Sequence, residues 1–204
     1  MITEKEKFPP EGPESHPEVQ CLTVGPIQAC CYLVGRADRD DRVIIDPGGE
    51  PERILRALGD KKPAAVLLTH GHFDHIGAVD ALRKVCPRIL IHELDLPLLT
   101  DPELNASAGI WVRPLRVSAP AETVREGQEL SPAGLRIQVL HTPGHTPGSV
   151  CYRIGDCLFT GDTLFTHGWG RTDLPGGDDG QMIASLRRLI PLSRSLRVFP
   201  GHED

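Results

Sequence analysis

The sequence predicts an α/β chain of the layered α+β kind, a sandwich rather than a doubly wound parallel sheet. Three observations predict it. The chain opens as a meander of short apolar runs separated only by Gly-Pro or charged turns. Later apolar runs alternate with segments of helical spacing. A tight-turn dipeptide, Gly155-Asp156, sits between two of the later runs and reads as a hairpin.

Taken in order, Val19 to Val24, Ala29 to Val34 and Arg42 to Ile45 read as strands. Asp46-Pro47-Gly48-Gly49 closes the third, and Glu50 to Leu58 shows helical spacing at Ile54, Leu55 and Leu58. Ala64 to Leu68 is an apolar, buried strand, and Ile76 to Val85 reads as a helix after it. Arg88 to Ile91 is a strand and Glu93 to Leu99 a short helix, ended by Thr100-Asp101-Pro102. Asn105 to Glu126 has weak periodicity and reads as irregular. Strands return at Leu135 to Leu140, Ser149 to Ile154 and Cys157 to Thr160. Gln181 to Ile190 carries apolar residues at 182, 183, 186, 189 and 190, the stripe of an amphipathic helix, and Arg197 to Phe199 is a last strand.

Residues 1–18 are charged and proline-rich and read as a flexible tail without the apolar core of a secretory signal; residues 19–204 read as one domain. The 204 residues, 39% hydrophobic and 25% charged, have globular composition. A formal net charge of -6 argues against a nucleic-acid partner, and no run approaches the ~18 apolar residues of a membrane helix. The 6 cysteines form no C-x-x-C pair, which reads as reduced thiols in a cytoplasmic protein. Cys30 and Cys31, adjacent on a strand, would face opposite sides.

The chemistry concentrates in Thr69-His-Gly-His-Phe-Asp-His75. Of 9 histidines in the chain, His70, His72 and His75 fall within six positions together with Asp74. In an extended segment alternate residues point the same way, so His70, His72 and Asp74 can converge. Imidazole nitrogens and carboxylate oxygens suit zinc and neighbouring metals. Three later strand ends offer more ligands: His145 between two Pro-Gly turns, Asp162 in Phe-Thr-Gly-Asp-Thr, and His202 in Phe-Pro-Gly-His. His70, His72, Asp74, His75, His145, Asp162 and His202 are too many for one tetrahedral ion and suit two. Two ions ~3.5–4 Å apart can share a water, lower its pKa and use it as the nucleophile, while one polarises the attacked carbonyl. No G-x-S-x-G elbow or P-loop competes with this reading.

T-H-G-H-F-D-H, H-T-P-G-H-T-P-G-S, F-T-G-D-T-L-F and P-G-H-E resemble, in this order and over residues 21–202, the metal motifs of the metallo-β-lactamase superfamily. The resemblance implies an αββα sandwich with the metals at one edge between two sheets. It implies that His70, His72 and His145 hold one ion, that Asp74, His75 and His202 hold the other, and that Asp162 bridges them. Asp74 and Asp162 are then the catalytic carboxylates. Within the superfamily the chain is most similar to short single-domain glyoxalase II-type thioester hydrolases, a likeness that extends through Gly168 to Asp178. This implies two divalent ions, zinc foremost with iron or manganese as alternatives, and a small-molecule thioester such as S-lactoylglutathione. The helical C-terminal region that supplies glutathione contacts in larger relatives has no counterpart after His202, so those contacts are not carried over. True β-lactamases of the fold generally lack an Asp-His pair of this form. The same motifs also fit a mono-iron persulfide dioxygenase, a lactonase, a nuclease, or a metal-binding module without turnover; the acidic balance makes the nuclease the weaker of these.

Several nearby residues have blander readings. His141 reads as a supporting group rather than a ligand. His92 and His167 read as ordinary polar residues, and His16 as part of the tail. Arg171 and Asp173 read as a salt-bridged loop brace, Phe73 as packing, and Asp46 as a turn residue that needs no role at the metals. Asn105-Ala106-Ser107 matches a glycosylation sequon, idle in a cytoplasmic protein.

Overall fold

The meander forms as expected and then becomes the edge of a mixed sheet. The computed structural model describes residues 16–86, 88–109 and 114–203. Strands β1 (Glu18–Val24), β2 (Ala29–Gly35) and β3 (Asp41–Ile45) pair antiparallel. β4 (Lys62–Leu67), β5 (Ile89–His92) and β6 (Glu122–Val124) then add in parallel, giving the order β1-β2-β3-β4-β5-β6. The parallel crossovers carry α1 (Pro51–Leu58), α2 (Phe73–Ile76), α3 (Val79–Leu82) and α4 (Leu96–Thr100).

The second sheet is built from β7 (Glu129–Leu130), β8 (Ile137–His141), β9 (Val150–Ile154) and β10 (Cys157–Gly161), all antiparallel. After α5 (Asp179–Ser193), β11 (Arg197–Pro200) returns parallel to β10. Tyr32, Val34, Ile45 and Leu67 from the first sheet pack against Val139, Tyr152 and Phe159 from the second. On the outer face of the first sheet, Ile54, Leu58, Ile76, Val79 and Leu82 cover Cys31, Ile44 and Val66; on that of the second, Leu189 covers Leu140, Cys151 and Leu158. The result is an αββα sandwich. Cys30 lies in the inner cluster and Cys31 in the outer one, on opposite faces of β2.

Four expectations change. The helix read over 76–85 shortens to α3, with α2 ending at Ile76; between them Ala78 N–H donates to the Pro47 carbonyl at 2.9 Å instead of to the turn before it. The stretch 105–126 is not wholly irregular: its last residues form β6, three residues too short to show a period. β7, with two residues, escaped the reading for the same reason. Of the tail expected over 1–18, residues 1–15 lie outside the described residues, His16 bonds Asp156 at 3.0 Å, and Glu18 opens β1. Asn105 is fully buried and donates to the carbonyls of Leu98 and Leu115, so its amide is committed inside the fold. All six thiols are free, and among the described residues no helix is long and apolar enough to cross a membrane.

Candidate metal centre

Four strand ends deliver the seven candidate ligands to one edge of the sandwich. β8 and β10 both run antiparallel to β9, and β11 runs parallel to β10, so β8, β10 and β11 open in the same direction. Their following loops carry His145, Asp162 and His202. The loop after β4 carries His70, His72, Asp74 and His75, and Val150 N donates to the Thr69 carbonyl at 2.8 Å, which joins the edges of the two sheets. His202 is fixed by Gly201, whose N–H meets the Gly161 carbonyl at 2.8 Å and whose own carbonyl accepts from Cys30 at 2.7 Å. Gly201 also lets the chain approach Asp162: a Cβ there would lie 2.1 Å from Asp162 Oδ1.

The side chains converge in three overlapping groups, His70/His72/His145, His70/His75/Asp162 and Asp74/His75/His202, each with one ligand atom per residue lying within 4.8 Å of the others. His72 Nδ1 is 2.8 Å from His145 Nε2. His75 Nε2 lies 3.4 Å from both Asp74 Oδ2 and Asp162 Oδ1, and His202 Nε2 lies 3.2 Å from Asp74 Oδ2. Asp162 Oδ2 reaches the other half, 3.5 Å from His145 Nε2. Six of the seven are buried or nearly so; His202 is about a quarter exposed, at 25% of its side chain.

Tautomers show which atoms face inward. His145 Nδ1 meets the Arg171 carbonyl oxygen at 2.7 Å; a carbonyl only accepts, so the proton sits there and Nε2 presents a lone pair to His72. His75 Nδ1 meets Asp46 Oδ2 at 3.1 Å, so its Nε2 turns towards the Asp74 and Asp162 carboxylates. Thr69 Oγ1 donates to Asp46 at 2.6 Å and can therefore accept from His70 Nδ1 at 3.1 Å, leaving Nε2 of His70 inward. Within the described residues, Nε2 of His70, His72 and His75 and Oδ1 of Asp162 are buried without a hydrogen-bond partner. Each such group costs about 1–3 kcal/mol when left unpaired. Nitrogen lone pairs and carboxylate oxygens facing a common space fit divalent cations, which would satisfy them together.

Burial drives the His70 and His72 rings towards the neutral form, aided by neighbouring histidines, and His72 falls to about 3. His75 goes the other way: burial disfavours its charge, but the carboxylates of Asp74, Asp162 and Asp46 outweigh it and raise its pKa well above the usual value. For His202, too, burial is outweighed, by the bond to Asp74 and the Asp162 charge. The Asp74 carboxyl is itself held far below its usual range, against burial, by His75 and His202.

Two buried carboxylates escaped the sequence reading. Asp46, read as a turn residue without a role at the metals, instead receives Thr69 N at 2.7 Å, Thr69 Oγ1 and His75. Asp95, fully buried, receives Gly71 N at 3.0 Å, Thr146 Oγ1 at 2.7 Å and Gly148 N at 2.6 Å, and so ties the loop of His70 and His72 to the loop of His145. Its one sequence signal is a charge between two leucines, Leu94-Asp95-Leu96. Arg171 pairs with Asp173 at 2.6 Å on the surface, the expected brace, while its carbonyl does the orienting. His141 bonds the Pro147 carbonyl at 2.9 Å and stacks on His92 with ring centroids 4.2 Å apart, away from the ligand set. Phe73 is buried.

Comparison with known proteins bears on this arrangement. The family model of the metallo-beta-lactamase superfamily matches residues 24–202. A probable metallo-hydrolase of Bacillus subtilis, YqgX, is 40% identical over 189 residues, covering 89% of this chain and 88% of that one. A hydroxyacylglutathione hydrolase of Haemophilus influenzae, GloC, is 34% identical over 191 residues, covering 90% of each. Among solved structures, the BLEG-1 B3 metallo-beta-lactamase superposes with a TM-score of 0.85 at 39% identity, covering 92% of both chains. TTHA1623 in a di-iron-bound form superposes with a TM-score of 0.78 at 40% identity, covering 91% of this chain and 93% of that one.

Proposed function

The chain belongs to the metallo-β-lactamase superfamily, and from that premise we propose that it is a dinuclear metallohydrolase acting on a small-molecule thioester such as S-lactoylglutathione. The observation that carries this reading is the position of Asp162: Oδ1 faces His75 and Oδ2 faces His145, so one carboxylate addresses both halves of the ligand set. His70, His72 and His145 would hold one ion, Asp74, His75 and His202 the other, and Asp162 both. Two divalent ions there, zinc foremost, would supply Lewis acidity and would lower the pKa of a bound water towards neutrality. The likeness to a hydroxyacylglutathione hydrolase supports the thioester.

The chain's own groups prepare that chemistry. Asp46, Thr69 and the Arg171 carbonyl keep the ring protons of His75, His70 and His145 outward, so three ring nitrogens stay aimed inward. Asp162 and Asp74 aim carboxylate oxygens at the same space as these rings. A cleft of about 440 Å³, lined by Ile27, Gln28, Glu50 and Arg53, opens at His202, and its position beside that one ligand supports a site there for the thiol carrier. The reading takes a small cytoplasmic substrate, with no nucleic acid or membrane as partner.

A second reading, β-lactam hydrolysis, is favoured by the likeness to a protein described as a B3 metallo-beta-lactamase. Purified protein assayed on S-lactoylglutathione, a lactone, a β-lactam and glutathione persulfide, with metal quantification, separates the cases. Two ions per chain with thioester turnover is the expected result. β-Lactam turnover without thioesterase activity would install the second reading. One iron with oxygen uptake on the persulfide would replace both.

A further inference from the structure

Outside the His/Asp centre, three other ligating groups meet on one face of the first sheet. Across the β1–β2 pair Cys21 stands opposite Tyr32 and Thr23 opposite Cys30, so Cys21 and Cys30 are diagonal neighbours on the same face. Glu203 follows His202, which forms a bridge with Ala29 and so lies against the start of β2. One ligand atom from each of Cys21, Cys30 and Glu203 lies within 4.8 Å of the other two.

The diagonal placement decides what the two sulfurs can do. Diagonal residues of an antiparallel pair have Cα atoms about 7–8 Å apart. A disulfide needs about 4.4–6.8 Å, so direct bonding would require the strands to shift. Two sulfurs on one tetrahedral ion, each about 2.3 Å from it, stand roughly 3.8 Å apart, a separation that two ligand atoms lying within 4.8 Å of each other can reach. Thiolates with a carboxylate form a donor set for a soft or borderline cation. Cys30 is fully buried and supplies a dry wall, whereas Cys21 and Glu203 are exposed and leave an entry path with one coordination position open to water.

We propose that Cys21, Cys30 and Glu203 form a separate binding position for one thiophilic divalent cation, zinc or cadmium. Binding releases the two thiol protons to solvent and leaves the cation on two thiolates and a carboxylate. The position shares the segment Gly201-His202-Glu203 with the ligand set, so the bound cation ties β1 and β2 to the strand end that presents His202.

The test is a cadmium titration of the full chain under reducing conditions, read by the ultraviolet thiolate-to-cadmium charge-transfer band. The His/Asp centre contains no thiol and gives no such band, and the cysteine variants separate this position from the other free thiols. The expected result is a band whose plateau amplitude corresponds to one cadmium on two thiolates per chain, persists in Asp162→Ala, weakens in Glu203→Gln, and disappears in Cys30→Ser and Cys21→Ser. Cys30→Ser alters a buried side chain; Cys21→Ser alters an exposed one and keeps the test decisive if the first variant fails to fold. Absence of the band in the wild-type chain, or its survival at full strength in Cys21→Ser, overturns the proposal.

Discussion

Asp46 and His75 form a buried pair, Oδ2 to Nδ1 at 3.1 Å, with neither residue more than 1% exposed. The same Asp46 oxygen accepts from Thr69 Oγ1 at 2.6 Å, and that hydroxyl faces His70. One carboxylate thereby sets the ring orientation of a histidine in each half of the ligand set. It can do so because β3 and β4 run parallel side by side and end together.

Asp46→Asn should weaken metal binding about 10- to 100-fold, the usual effect of losing a partner that orients a ligand. Asp46 has φ 50, a conformation that Asn also tolerates, so the backbone should be spared. The amide would aim N–H donors at His75 or Thr69, where only an acceptor fits. A metal titration measures the loss; unchanged affinity for both ions would remove Asp46 from this role.

Asp162→Ala removes the carboxylate placed between His75 and His145. Thioester hydrolysis should fall further than the ~100-fold ceiling for an orienting partner, because here a ligand to both ions is lost. Circular dichroism should show the fold intact, since Asp162 sits in a loop after β10. His141→Ala, which cuts only the contact with Pro147 and the stack on His92, should cost much less. Turnover at the parental rate in Asp162→Ala would refute the bridging role.

Asp95→Ala strands three donors, Gly71 N, Thr146 Oγ1 and Gly148 N, at the junction of two ligand loops. The expected destabilisation exceeds the ~1–3 kcal/mol of a single stranded buried donor, read by denaturant unfolding of the metal-free chain. Because Asp95 joins the loops of His70, His72 and His145, affinity at that half should drop more than at the Asp74/His75/His202 half. Equal losses at both halves would point to general loosening instead.

The candidate ligands were legible because each sits in a short motif at the end of an apolar run, where His or Asp beside Gly or Pro stands out. Their convergence was not legible from any one motif. It depends on β8, β10 and β11 opening the same way and on Val150 bonding Thr69 between the sheets, relations across residues far apart in the chain. Asp46 was opaque for a related reason: Asp-Pro-Gly-Gly is sound turn chemistry, and only the parallel neighbour β4 brings Thr69 and His75 to it. The break between α2 and α3 goes with the Ala78 N–H bond to the Pro47 carbonyl, again a distant contact that helical spacing does not encode.

Acidification should empty the two halves in sequence. Burial opposes charge on His75 and His202, yet the surrounding carboxylates raise both, so in the metal-free chain these rings hold protons at higher pH than usual. A cation entering there must displace them, and its apparent affinity falls as pH drops, by about tenfold per unit for each proton displaced. His70 and His72 are pushed by burial towards the neutral form, His72 down to about 3, so these two rings have little proton to displace until strong acid. The signs also differ for metal-free stability. The raised His75 contributes stability that is present below the unfolded value near ~6.5 and is lost as pH rises through the folded one; His70 and His72 withdraw stability as pH falls below ~6.5. Metal content after dialysis at stepped pH should therefore pass from two ions per chain through a plateau at one, with the Asp74/His75/His202 ion leaving first. Simultaneous loss of both ions, or earlier loss from the His70/His72/His145 half, would show that carboxylate coupling does not govern proton competition at this centre.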